Sequence, residues 1–72
     1  MNKYEVREIF LADSLSEEEY LAAFHKSPVF EFRGLAEVRD FVGGVTLHPD
    51  FYLGIKGFRA KYGYTTYIIT KA

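Results

Sequence analysis

The constraint that most limits this chain is the want of a covalent staple: 72 residues contain no cysteine. A domain this short buries only about 60–65% of the surface its unfolded form exposes, so its stability margin is thin. Small domains usually add disulfides, a structural metal or a partner subunit. Here disulfides, thiolate zinc sites and thiol nucleophiles are excluded. Two histidines, His25 and His48, are too few for a histidine-rich metal site. What remains is ring surface. Seven Phe and six Tyr are present, and each ring side chain can bury roughly 150–250 Å². That supply can build a core unaided, and it exceeds what so short a chain can hide. Tyrosine hydroxyls need water or a partner, so amphipathic patches of the kind found at interfaces are expected.

One compact domain over 1–72 is expected. No apolar run approaches the roughly 18 residues of a membrane span, and Lys3, Glu5, Arg7 and Glu8 break any signal-peptide apolar region. The expectation is a soluble, cytoplasmic protein without a membrane partner. The initial Met1 suggests a complete small reading frame. The net charge of −1 conceals an asymmetry. Residues 1–40 hold nine acids and five bases (−4), whereas residues 41–72 hold Asp50 against Lys56, Arg59, Lys61 and Lys71 (+3).

Residues 3–12 alternate as a strand that grows more apolar towards its end. Ser16 and Glu19 have capping-box spacing, with Leu15 and Tyr20 placed as a hydrophobic staple. Glu17, Glu18 and Glu19 suit the positive end of a helix dipole, and Pro28 forbids continuation. A helix of about ten residues follows. Residues 29–33 read as a short strand. Leu35, Val38, Phe41 and Val42 share a helical face between Gly34 and Gly43. Residues 44–48 read as a strand and 48–51 as a turn with Pro49 second. Residues 51–59 read as the returning strand, and 64–70, all aromatic or β-branched, as the last strand. Phe51, Ile55, Phe58 and Tyr62 also fall at helical spacing, so a helix over 50–62 stays open. Gly54 and Gly57 oppose it at about 1 kcal/mol each. The expected fold is α+β, order β-α-β-α-β-β-β, with two short helices on one face of a small, mostly antiparallel sheet.

No catalytic motif emerges. His48 and Asp50 have the types of a base and an orienting carboxylate, but Pro49 between them suggests a turn, and no third metal ligand is evident. Ser14, Ser16 and Ser27 are explained by helix boundaries, no G-x-S-x-G occurs, and no glycine-rich phosphate loop is present. No cofactor, no metal and no enzymatic activity are expected. The best surface candidate is residues 51–67, where Lys56, Arg59 and Lys61 interleave with Phe51, Tyr52, Phe58, Tyr62, Tyr64 and Tyr67. Tyr52, Lys56, Arg59, Lys61, Tyr62 and Tyr64 are the expected contact residues, since Tyr and Arg are enriched among interface anchors.

The leading expectation is a non-enzymatic protein that occupies a partner protein's surface. A phage or mobile-element inhibitor or modulator of a host enzyme is a familiar build of this kind. The alternative is a single-stranded nucleic-acid module, in which rings stack on bases and cations meet phosphates. Lys56-Gly57-Phe58 opens like the aromatic motif of RNA-recognition sheets, and Arg59 and Ala60 depart from it. A homodimer through the C-terminal strand is a further expectation, because only Lys71 guards that strand's end.

Overall fold

The computed structural model describes residues 3–72. Its order is β1 (Tyr4–Phe10), a 3₁₀ turn (Ala12–Ser14), α1 (Glu17–Lys26), β2 (Phe30–Phe32), α2 (Leu35–Phe41), β3 (His48–Tyr52), β4 (Ile55–Tyr62) and β5 (Thr65–Lys71). The five strands form one antiparallel sheet in the order β2-β1-β5-β4-β3. Class and element order agree with the sequence reading, and residues 50–62 are strand and turn rather than helix.

Helix α1 starts for local reasons. Glu19 N–H donates to Ser16 Oγ at 3.2 Å, and Ser16 N–H donates to Glu19 Oε1 at 2.9 Å. This closes the capping box and satisfies two donors that the helix cannot. The accepted hydrogen bonds hold the Glu19 carboxyl below the usual glutamate range. At the other end Ser27 Oγ shares its proton between the carbonyls of Ala23 (2.6 Å) and Glu8 (3.0 Å), tying the helix to β1. Helix α2 has no side-chain cap at Gly34 and ends at Gly43 and Gly44, with φ of +82° and +76°.

The expected strand 44–48 is irregular up to Leu47, and the expected turn 48–51 lies inside β3. The chain reverses later, at Leu53-Gly54. There Tyr52 pairs Ile55 across a two-residue loop whose φ values are +54° and +82°. Two left-handed residues are the mark of a type I′ turn, whose twist matches the strands it joins. Pro49 is accommodated because β3 is an edge strand, where a missing N–H can face outwards. Gly63-Tyr64 forms the second two-residue turn, so Tyr64, expected to open the last strand, lies in the turn and β5 starts at Thr65.

The helices, expected together on one face, divide between both. Adjacent residues of β5 show this, since neighbours along a strand point to opposite sides. Ile69 packs with Val6, Ala60 and the α2 side chains Val38 and Val42. Ile68 packs with Ile9 and the α1 side chains Tyr20 and Phe24. On the α2 side the Phe41 ring meets Phe30 and Phe32, each with centroids 5.0 Å apart, and Tyr67 at 5.9 Å. On the α1 side the Arg7 guanidinium lies 4.3 Å from the centre of the Phe24 ring. The C-terminal strand β5 sits between β1 and β4, so it offers no edge for a second copy. The exposed edges are three-residue β2 and Pro49-bearing β3. Both are of the kind that resists strand addition.

Candidate functional site

The six residues expected to form one surface occupy three places. Tyr52 and Arg59 point to the α1 side. Arg59 pairs with Asp50 at 2.9 Å, and its guanidinium lies 5.5 Å from the centre of the Tyr52 ring. Tyr20 and Tyr52 meet edge to face at 5.2 Å. These groups and Ala12, Asp13 and Leu15 line an open cleft of about 400 Å³. The cleft is internally matched, because its guanidinium already holds its carboxylate. Arg59 Nε is nevertheless buried without a partner, which costs stability. Burial pushes the Tyr20 hydroxyl above the usual tyrosine range, with the Asp50 and Tyr52 charges adding to the rise and Arg59 opposing it. Asp50 engages Arg59 and not His48, so the suggested His48–Asp50 pair is not assembled. Among the described residues no group of three or more His, Asp or Glu is placed to hold a metal ion.

Lys61, one position from Tyr62, also points to the α1 side and pairs with Asp13 of the 3₁₀ turn. The hydrogen bond and charge of Lys61 hold the Asp13 carboxyl below its usual range. Of the three cations in 51–67, then, Arg59 and Lys61 are neutralised locally. Lys56 points to the opposite side, across from Phe51.

Tyr62 and Tyr64 come together with two residues that the sequence reading did not single out. The registers Phe10↔Thr65 and Tyr62↔Thr65 put Phe10, Thr65 and Tyr62 in one row across β1, β5 and β4, all on the α2 side. Phe10 and Tyr62 are therefore about 10 Å apart, two strand spacings. Tyr64 in the second turn meets Phe10 edge to face, centroids 6.3 Å apart. Leu11 N–H donates to the Tyr64 carbonyl at 2.8 Å, locking the end of β1 to that turn. The result is a cluster of large apolar side chains left open: Phe10 64%, Leu11 46%, Tyr62 57% and Tyr64 72% exposed. Tyr62 leans on the α2 terminus, where a Cβ on Gly43 would lie 2.8 Å from its ring.

Leu11 is held with φ +53° and ψ +43°. A left-handed conformation costs an L-residue roughly 1–2 kcal/mol, and such strain concentrates at binding sites. Its carbonyl accepts from Ser14 N–H at 3.1 Å and from Ser14 Oγ at 2.8 Å, which keeps the 3₁₀ turn closed. Phe10 was legible only as one more strand residue. The signal that singles it out is position: it is the last residue of β1 before the Ala12-Asp13-Ser14 turn, beyond the reach of α2.

No family model, curated protein or solved structure matches this chain. Among the described residues no helix is long and apolar enough to cross a membrane.

Proposed function

We propose that this is a small non-enzymatic binding protein that acts by covering part of a protein partner. The contact is made with the Phe10–Leu11–Tyr62–Tyr64 end of the sheet, flanked by the Lys61–Asp13 pair. The observation that carries the reading is the cluster itself. Three rings and a leucine stand open at one end of the sheet, and the leucine is held there at a conformational cost. A dry apolar centre with a polar rim is the anatomy of a protein interface, and tyrosine is enriched among its anchors. The finer expectation is part of the same proposal. On grounds of size and the absence of catalytic motifs, the partner is a host enzyme that a phage or mobile-element protein inhibits or redirects in the cytoplasm.

The test is a pair of proteins, wild type and Phe10→Ala/Tyr64→Ala. Both side chains are exposed, so each substitution shifts stability by no more than about 0.5 kcal/mol, checked by thermal melting. Wild type immobilised in bacterial lysate is expected to retain one stoichiometric partner, and the double variant to lose it. Equal retention by both, or no partner on either, overturns the reading.

A further inference from the structure

The α2 side of the sheet has a second open end, opposite Phe10. Registers Tyr4↔Phe32, Tyr4↔Lys71 and Phe51↔Lys56 put these residues level across the strands. The β4–β5 pairing ends at Phe58↔Ile69, and beyond it Lys56 and Lys71 line one groove. The resulting row takes one residue from each strand, Phe32, Tyr4 and Lys71 on one side and Lys56 and Phe51 on the other. Phe32 is covered by Phe41 of α2. Tyr4, Lys71 and Lys56 open onto a shallow groove of about 630 Å³, lined also by Pro49, Gly57 and Phe58, and Phe51 stands beside it across from Lys56. Phe51 is 71% exposed. No carboxylate side chain lines the groove, and among the described residues Lys56 and Lys71 have no acidic side chain within ion-pair distance. Asp50, the nearest acid along β3, faces the other side and is held by Arg59.

We infer that this row is a contact site for single-stranded nucleic acid, separate from the apolar end and independent of the protein-binding proposal. The two lysines take adjacent backbone phosphates, and Phe51 on one flank and Tyr4 on the other offer faces on which bases stack. The groove and such a strand are complementary in charge and in shape. Lys56 and Lys71 line the same groove, which concentrates positive charge on an otherwise acidic protein. Unpaired like charges in one groove are unfavourable until an anion arrives. The rings beside them select an anion that carries flat apolar groups, which inorganic polyphosphate and polyglutamate lack. The protein surface is flat and the lysines are flexible, so the contact reads backbone and stacking, without base-edge specificity.

The test is fluorescence anisotropy of a labelled short oligothymidylate with the full chain. Two phosphate contacts on a single strand predict a log–log salt slope of about −1.4, which is about sevenfold weaker binding from about 50 to about 200 mM salt. Lys56→Gln and Lys71→Gln should each halve the slope. Phe51→Ala should weaken binding about fivefold or more through lost stacking, with the melting temperature unchanged because the ring is in water. Lys61→Gln, which removes a cation already held by Asp13, should leave binding unchanged. Four outcomes overturn the inference. They are no binding at about 50 mM salt, binding unaffected by both groove lysines, equal affinity for inorganic polyphosphate with Phe51→Ala neutral, and preference for polyglutamate over the oligonucleotide.

Discussion

The two open ends of the α2 side carry similar ring surface and opposite electrostatics. At one end Phe10, Leu11, Tyr62 and Tyr64 are all exposed, and the neighbouring cation Lys61 is held by Asp13. At the other, Tyr4 and Phe51 flank Lys56 and Lys71, and no acidic side chain neutralises them among the described residues. Aromatic content therefore does not distinguish a dry protein contact from a nucleic-acid contact. What distinguishes them is whether the nearest cation is satisfied from within the fold. Arg59 makes the same point on the α1 side, where Asp50 occupies the guanidinium and leaves the cleft beneath α1 internally matched.

The sharpest way to break this comparison is Gly57→Ala. A Cβ there would lie 2.0 Å from the Ile69 carbonyl oxygen and 3.2 Å from the Thr70 Cα. These are backbone atoms and cannot swing aside. The bend that lets β4 approach β5 beside Lys56 and Lys71 needs glycine. A loss of about 3 kcal/mol is expected, the upper end for overpacking, and with it a fall in Tm of more than about 10 °C for a domain of this size. Oligonucleotide binding should weaken with it. A melt like that of wild type would mean that the two strands do not approach so closely.

Leu11→Gly sharpens the other end. Glycine adopts the left-handed conformation without penalty, so stability should rise by about 0.5–1 kcal/mol. Capture of the protein partner should fall because the leucine side chain is gone. Opposite signs for stability and binding are the mark of strain kept for function. A loss of stability would instead make Leu11 part of the core, and the apolar end would lose its one aliphatic member.

The smallest effect concerns charge. Lys61 lowers the Asp13 pKa in the folded state. The stability contributed by that pair is therefore present above the ordinary aspartate value and disappears as pH falls through the lowered folded value. An NMR titration of the Asp13 carboxyl should show its midpoint rise in Lys61→Gln. Asp13→Asn frees Lys61 at neutral pH and makes the apolar end more like the basic one. Weak, salt-sensitive oligonucleotide affinity should then appear in a Lys56→Gln/Lys71→Gln background that otherwise has none. An unchanged Asp13 midpoint would mean that the pair does not form in solution.

The elements set by short-range physics were legible. Helix α1 is bounded by Ser16, Glu19 and Pro28, all within reach of their own backbone. Strand β5 consists of residues that fit a pleated surface. Strand β3 was misplaced because His48-Pro49-Asp50-Phe51 has good turn chemistry, which an edge position tolerates inside a strand. The competing signal, Leu53-Gly54 before an extended segment, was weaker because leucine is a poor left-handed residue. Its side chain is kept there by packing against the Ile9–Tyr20–Phe24–Ile68 cluster, an interaction across the fold. The functional surface was legible in composition and not in membership. Tyr62 and Tyr64 were singled out, whereas Phe10, Leu11, Tyr4 and Lys71 join their groups only through register.

The amino-acid sequence by itself determined that this chain is an α+β domain without disulfide bridges, with a capped first helix and a closing three-strand run. Each of those features depends on neighbours a few residues away or on total composition. Tertiary structure alone decided that the helices take opposite faces, that Asp13 and Asp50 silence Lys61 and Arg59, and that two ends of one face are left uncovered. Strand alternation sorts side chains into two sides, but which side a helix covers, and how far along, depends on packing between segments as distant as β1 and β5.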